Sequence, residues 1–502
     1  MSRQRRTDAP IWSLPLGSPE PGETLQHWLY RTLRQAILEG RLAAGARLPG
    51  TRALAGQQRI ARGTVQAAYD QLLSEGYLDA AHGSGTRVGA SLPDRSLQAP
   101  AASEGPAPAT AQPTQAAWWT GRLDGIGAAF PLQPPAGPAP PFHPHRCDVA
   151  AFPVDTWRRL HVRHLRRARL DSFGDPGPAG LAPLREAIAA HLHVARGVAI
   201  PAEQIVVVGS VQQALDICLR LLVGPGEAAW MEDPGYPGAR QLMLASGAQV
   251  VDVPVDEDGM RVADGIAAAP AARLAYLTPA RQAPLGMALA PQRRLALLDW
   301  AVASGAYVFE DDYDSEYRFV AKPIPALRSH PGSERHVILA GTFSKLLFPG
   351  IRLAFVALPR HLVDRFVRAF SLTNRSAGAL AQAVLADFMA EGHFDRHVRR
   401  MRRLYAARAQ AFEDAARRHW DGLLAVPAAQ AGLDLVARLQ GMDEEAALAR
   451  LGPAGLTAFP LGRYCGAARL EPGLVMGFAP FDEAAIEDGA LRIAHALGRR
   501  AG

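Results

Sequence analysis

Lysine is almost missing from this chain. Of its 54 lysine and arginine residues, two are lysines, Lys322 and Lys345, and the other 52 are arginines. Arginine serves wherever positive charge alone is required. A lysine kept against that bias is a candidate for chemistry that needs a primary amine, which a guanidinium cannot supply as a nucleophile. The bias selects both lysines and does not choose between them. Cysteine is scarce as well. Cys147, Cys218 and Cys465 form no CxxC pair, which excludes a disulfide scaffold, and no metal site is expected. No uninterrupted apolar run reaches about 18 residues, so no membrane span is expected. The opening MSRQRRTDAPIWSL lacks the apolar core of a secretion signal, and the expected compartment is a reducing cytoplasm.

At 502 residues the chain is long for a single core, so two or more domains are expected. Apolar residues make up 48% and charged residues 20%, an ordinary globular balance. The net charge of +6 is unevenly spread. Between Thr24 and Ala90 stand eight arginines (31, 34, 41, 47, 52, 59, 62 and 87) against Glu39, Asp70, Glu75 and Asp79. Such an excess suits a phosphate-binding surface, although a solvated basic face has the same composition. Three zones follow: a compact 22–90 with helical periodicity, a Pro/Ala-rich 91–141 of linker composition, and 142–499, where apolar strand-like runs alternate with helical patterns.

In the first zone Leu25, Trp28, Leu29, Leu33 and Ile37 form one helical stripe that stops at Gly40. Thr51 is placed to cap a short second helix, RALAGQQ. A third helix turns Val65, Ala68, Tyr69, Leu72 and Leu73 inward and leaves Arg62, Thr64 and Gln66 nearer its outer face. The turn-rich AHGSGTRV then suits a two-stranded wing. This order is that of a winged helix-turn-helix, whose third helix is available to a major groove.

In the third zone IVVVGS (205–210) reads as a buried strand ending in a small-residue turn, with a helix from about Gln212 whose first N–H groups attract phosphate. RLAYLTP (273–279), AYVFEDD (306–312) and HVILAGTFSK (336–345) are further apolar runs with polar or reactive ends. Ligands of open α/β sheets gather beyond the carboxyl ends of parallel strands. Pyridoxal phosphate needs an amine, a carboxylate near its ring nitrogen, phosphate donors and a flat neighbour. Lys345, Asp311, the set Ser210, Val211, Gln212, Thr342, Ser344 and Arg352, and Tyr236 offer these in turn. Taken singly each has a plainer reading: a surface loop, a solvated acidic strand end, an ordinary turn.

With these motifs in hand, the chain resembles the MocR/GabR subfamily of GntR-type regulators. The strings that carry the resemblance are WAVASGAYVFEDDYDSEYRF, GTFSKLLFPGIRLAFVALP, and GRLAAGARLPGTRALA with TVQAAYDQLLSEGYL. The resemblance implies a winged helix-turn-helix joined by a long linker to a fold-type I aminotransferase-like α/β domain. That domain would have a mostly parallel sheet and a small C-terminal α+β part. It implies Lys345, rather than Lys322, as the Schiff-base lysine, Asp311 as partner of the ring nitrogen, and Tyr313 near the cofactor hydroxyl. It further implies Tyr236 against the ring and Thr342 and Arg352 at the phosphate. Asp312 stays open as the rival of Asp311, because strand neighbours face opposite ways. Arg52, Arg62 and Thr64, with His82 and Gly83 in the wing, correspond to DNA-contacting positions, and Gln66 shares the outer face. A homodimer on repeated double-stranded DNA half-sites is also implied.

Several residues depart from the family pattern. TPARQAPLG puts Arg281 where a histidine is usual, a permanent charge available to an effector's carboxylate or phosphate. Val211 replaces a common hydroxyl residue. Arg59 stands for a turn glycine, and Ala61 for a helix-capping hydroxyl. In GLVMGFAP, Val475 occupies the position of the arginine with which many aminotransferases grip a substrate carboxylate, leaving Arg463 as the candidate substitute. The leading expectation is therefore a regulator that senses pyridoxal phosphate or a small amine through Lys345. An active aminotransferase with an accessory DNA-binding domain is the alternative, and a cofactor-free DNA binder a third reading.

Overall fold

The computed structural model describes residues 16–81, 85–90, 140–166, 174, 176–320 and 324–498. The chain divides into two units, Met1–Gln115 and Ala116–Gly502, and the division falls inside the 91–141 stretch of linker composition.

The first unit runs α1 (Leu25–Leu38), α2 (Thr51–Gln58), α3 (Arg62–Ser74), then the antiparallel pair β1 (Leu78–Ala81) and β2 (Gly85–Val88). Trp28, Leu29, Leu33 and Ile37 of α1 meet Leu54 of α2 and Val65, Ala68, Tyr69 and Leu72 of α3 in one core. Leu25, expected in that stripe, is 44% exposed because it opens the helix at the edge of the core. Thr24 caps α1, its Oγ1 accepting from His27 N at 3.3 Å. Thr51 does not cap α2. The helix starts one residue earlier than its sequence suggests, so Gly50 is the extended cap residue and Thr51 lies in the first turn. The two departures around α3 take their expected form: Arg59 adopts the left-handed φ of 55° that favours glycine, and Ala61 is the α3 N-cap without a side-chain acceptor.

The second unit is built on an eight-stranded sheet of β3 (Ile205–Val208), β4 (Ala228–Asp233), β5 (Gln249–Asp256), β6 (Gly259–Met260), β7 (Leu274–Leu277), β8 (Tyr307–Asp312), β9 (Val337–Thr342) and β10 (Ala354–Ala357). Their order is β3-β10-β9-β8-β7-β4-β5-β6. Strands β5, β4, β7, β8 and β9 pair in parallel, whereas β10 runs antiparallel to both β9 and β3. The apolar runs IVVV, LAYL and AFVA are buried throughout because helices cover both faces. On one face the helix Val211–Leu222 packs Ala214, Leu215 and Cys218 against Val206, Tyr276, Phe309 and Ile338. A smaller C-terminal part holds an antiparallel sheet of β11 (Leu424–Ala425), β12 (Asp434–Leu439), β13 (Phe459–Pro460) and β14 (Gly473–Gly477), in the order β11-β12-β14-β13. The expected mostly parallel sheet, small C-terminal α+β part and winged helix are all present. Among the described residues no helix is long and apolar enough to cross a membrane.

The turn between α2 and α3 yields a stability prediction. Arg59→Gly removes a left-handed non-glycine residue, and Ala61→Ser restores a cap. Each is expected to stabilise the first unit by about 0.5–1 kcal/mol in denaturant titrations of the full chain. An unchanged midpoint for both variants would contradict this account of the turn.

Candidate functional site

Strand direction gathers the site. The parallel strands β4, β7, β8 and β9 bring their carboxyl ends to one edge of the sheet. Antiparallel β10 starts at that same edge, since Ala354 pairs with both Thr342 and Val208. Arg352, just before β10, therefore arrives beside the ends of β3 and β9, with an exposed side chain on a left-handed backbone, φ 49°. Ser210 caps the Val211–Leu222 helix, its Oγ accepting from Gln213 N at 3.1 Å. The first-turn N–H groups of Val211 and Gln212 have no intrahelical acceptor and carry the positive end of the helix dipole. Gln212 Nε2 donates to the Tyr236 hydroxyl at 2.8 Å, which ties the ring after β4 to this helix start. Thr342 caps the one-turn helix Phe343–Leu346, accepting from Ser344 N at 3.1 Å, and that turn carries Lys345.

The two aspartates of β8 part company across the sheet. Asp311 shares a face with Phe309 and Tyr276, and accepts from the Tyr276 hydroxyl at 2.6 Å. Asp312 points to the other face, 2.6 Å from the buried guanidinium of Arg196. Burial pushes the Asp311 carboxyl up to about 7, against the Tyr276 hydrogen bond and the Lys345 charge, which act to lower it. Its Oδ1 is buried without a hydrogen-bond partner. A buried acceptor of this kind calls for a donor. A protonated ring nitrogen is one such donor, so on this observation the residues present fit pyridoxal phosphate.

Lys345 Nζ donates to the main-chain carbonyl of His145 at 2.6 Å. Burial pulls its amine below the usual lysine value, with the Asp434 charge opposing. His145 belongs to a strap at the start of the described second unit. Its Nδ1 lies 2.6 Å from Asp434 Oδ2, and its Nε2 lies 2.5 Å from the Tyr464 hydroxyl. Asp434 also receives Arg281, whose Nη2 reaches Oδ1 at 3.0 Å. The Nη1 of Arg281 donates to Asp314 at 3.2 Å and to the Tyr313 hydroxyl at 2.7 Å. Burial alone would raise the Asp434 carboxyl, but His145 and Arg281 hold it well below the ordinary carboxylate range. The loop carrying Arg281 is itself fixed. Buried Glu232 accepts from Thr278 N and Oγ1 at 3.0 and 2.8 Å, and Gln282 Nε2 donates to Pro234 O at 2.7 Å.

The geometry thus brings together Lys345, Asp311, Tyr236, Gln212, Ser210, Val211, Thr342, Ser344 and Arg352 around one sheet edge. Arg281 and Tyr313 join them through internal bonds. With Arg281 only 4% exposed and held by two carboxylates, an effector anion would have to displace one of them. Arg463 stacks its guanidinium 4.7 Å from the Phe459 ring centre. Sequence reasoning missed His145, Tyr276, Asp314, Asp434 and Tyr464. Tyr276 stands in the quoted RLAYLTP and Asp314 in EDDYDSE, so strand register would have flagged both. Asp434 opens β12 and Tyr464 ends the short 3-10 helix Leu461–Tyr464, both far along the chain, and neither left a local signal. On the first unit Arg52, Arg62 and Gln66 are exposed and Thr64 is half-buried, while Gln66 Nε2 is bonded to Asp70 at 2.8 Å. His82, Gly83 and Lys322 lie outside the described residues.

Known proteins agree with both halves. Residues 25–88 match the bacterial regulatory proteins of the gntR family, and residues 152–451 match aminotransferase class I and II. The α-aminoadipate aminotransferase LysN of Thermus thermophilus, solved with N-(5'-phosphopyridoxyl)-L-leucine, shares the fold at a TM-score of 0.66 and 24% identity, covering 75% of this chain and 94% of that one. The class is accordingly a GntR-type DNA-binding domain joined to an aminotransferase-like domain. Over 465 residues the chain is 40% identical to the probable rhizopine catabolism regulatory protein MocR of Rhizobium meliloti, covering 92% of this chain and 91% of that protein. The HTH-type transcriptional regulator TauR of Rhodobacter capsulatus is 33% identical over 94% of this chain and 96% of its own length. The pyridoxine biosynthesis regulator PdxR of Corynebacterium glutamicum is 31% identical over 94% and 95%. The chain belongs to the MocR subfamily of GntR-type transcriptional regulators.

The Asp311 environment sets a pH dependence. A carboxyl whose folded value is raised favours the neutral form, so its contribution is complete below about 4 and is lost as pH rises through about 7. In the cofactor-free protein, stability relative to Asp311→Asn is expected to fall across that window by roughly 1–4 kcal/mol. Parallel stability curves for the two proteins, from denaturant titrations at several pH values, would refute this.

Proposed function

We propose that the second unit binds pyridoxal phosphate at this sheet edge and that an amine arriving there alters how the first unit binds operator DNA. The observation that carries the reading is the unpartnered, buried Oδ1 of Asp311 on the sheet face that also holds Tyr276 and Tyr236, with Lys345 at the end of the neighbouring strand. Lys345 supplies the amine that the cofactor's aldehyde requires, and Asp311 holds a proton on the ring nitrogen. Tyr236, tied to Gln212, would lie against the ring. The helix start at Ser210, Val211 and Gln212, together with Thr342, Ser344 and Arg352, neutralises the phosphate. When bound, the cofactor supplies an electrophilic carbon that exchanges one amine for another.

Sensing is favoured over turnover by Val475. It is fully buried in the middle of β14, paired with Val436 and Phe459, and offers no charge to a substrate carboxylate. In this reading Arg281 orders the site through Asp314 and Asp434, and Arg463, stacked on Phe459, is the candidate contact for an effector. Arg52, Arg62, Thr64 and Gln66 face DNA from the first unit, and His82 and Gly83 are the further DNA-contacting candidates that the sequence offers. A cytoplasmic homodimer reading two half-sites fits the family architecture.

An effector shifts DNA binding only through different affinities for two arrangements. Addition of pyridoxal phosphate and a matching amine is expected to change operator affinity by about 5–150-fold, and Lys345→Ala to abolish the change. Fluorescence anisotropy of labelled operator DNA measures it. The same response in the variant would sink the reading.

A further inference from the structure

The segment Pro141–Asp148 crosses the site as a strap, and it is the first described stretch after the linker. Its outer ends are well anchored. Thr457 N donates to Pro141 O at 3.3 Å and Gly477 N to Phe142 O at 2.8 Å, while Asp148 takes Arg408 at 2.8 Å. The Phe142 ring packs edge-on against Phe412 at 5.3 Å. Gly477 is needed for this seat, because a Cβ there would stand 2.4 Å from His143 O.

The middle of the strap is different. Phe142 and His145 both adopt left-handed backbone, φ 65° and 63°, without being glycine. Side-chain residues hold such conformations only where their surroundings impose them. At His145 the imposing contacts are Asp434 on its N–H and ring, Tyr464 on its ring, and Lys345 on its carbonyl. The last of these is a charge-assisted bond from the one group that the cofactor must take.

We infer that Lys345 is a latch on this strap: its ammonium pins His145 through the carbonyl, and condensation of that amine with the cofactor's aldehyde, which gives up a proton to solvent, forms a C=N bond and expels water, takes the donor away and loosens the strap's centre. The capture step rests on the cofactor reading above; the latch itself rests on the chain's own contacts. Occupancy of the site then changes how firmly the middle of the strap is held between its anchors at Phe142 and Asp148. His145 and Asp434 act as positioning residues, setting the strap's resting state.

Hydrogen–deuterium exchange on the full chain tests the latch. In cofactor-free protein, Lys345→Ala is expected to exchange amides of the 141–148 peptide about tenfold faster than wild type, the weight of one charge-assisted hydrogen bond, while β8 peptides stay unchanged. Equal rates over 141–148 overturn the latch. Should the alanine variant loosen β8 as well, Lys345→Met keeps the aliphatic stem without the donor, and the same comparison decides. Adding pyridoxal phosphate to wild type is expected to accelerate the same peptide. A visible absorbance band from bound cofactor with an unmoved strap overturns the inference and leaves the cofactor reading standing. Absence of any band overturns the cofactor reading, and the variant comparison still judges the latch.

Discussion

The buried clasp of Arg281 between Asp314 and Asp434 is the interaction on which the site depends. Its three residues come from the loop after β7, from the turn after β8 and from the first residue of β12. One guanidinium therefore fastens the large sheet to the smaller C-terminal part. The charges survive burial because they are paired and hydrogen-bonded. Removing one partner from such a group costs roughly 3–5 kcal/mol by stranding the other. Asp434 passes the order on to His145, and His145 passes it to Lys345. The Lys345 amine is thus positioned by a chain of polar contacts that begins at Arg281.

The clasp also gives Arg281 a role different from the one its charge suggests. A permanent cation beside a ligand site invites an anionic effector, yet these donors face internal carboxylates and the Tyr313 hydroxyl. Together with buried, apolar Val475, this leaves a site richer in acceptors than in uncommitted cations. Asp314 illustrates the point: burial pushes its carboxyl up to about 7 even with Arg281 beside it, and its Oδ1 has no partner.

Much of the architecture was legible beforehand. The winged helix followed from apolar spacing in α1 and α3, and the sheet followed from short apolar runs with reactive ends. Local capping was less legible: Thr51 looked like a cap and is instead a helical residue, because the choice of first residue depends on backbone angles that composition does not encode. Arg59 and Ala61 were readable as local costs, since a left-handed turn position and an N-cap each have a strong residue preference. The cluster of His145 with Asp434 and Tyr464 was not readable, because His145 stands 289 and 319 positions from the other two and meets them only by folding.

The scarcity of lysine, the GTFSK and EDDYDSEY strings and the Pro/Ala-rich stretch by themselves pointed to a two-part regulator and singled out Lys345 as its candidate amine. Composition and short motifs are local, so a linear reading can find them. Which aspartate of β8 looks into the site was decided by tertiary structure. The pleat offers two phases, and only the packing of Tyr276 on one face and Arg196 on the other selects Asp311. Tertiary structure alone likewise brought the His145 carbonyl to Lys345, since that contact requires the strap, β12 and the turn after β9 to meet.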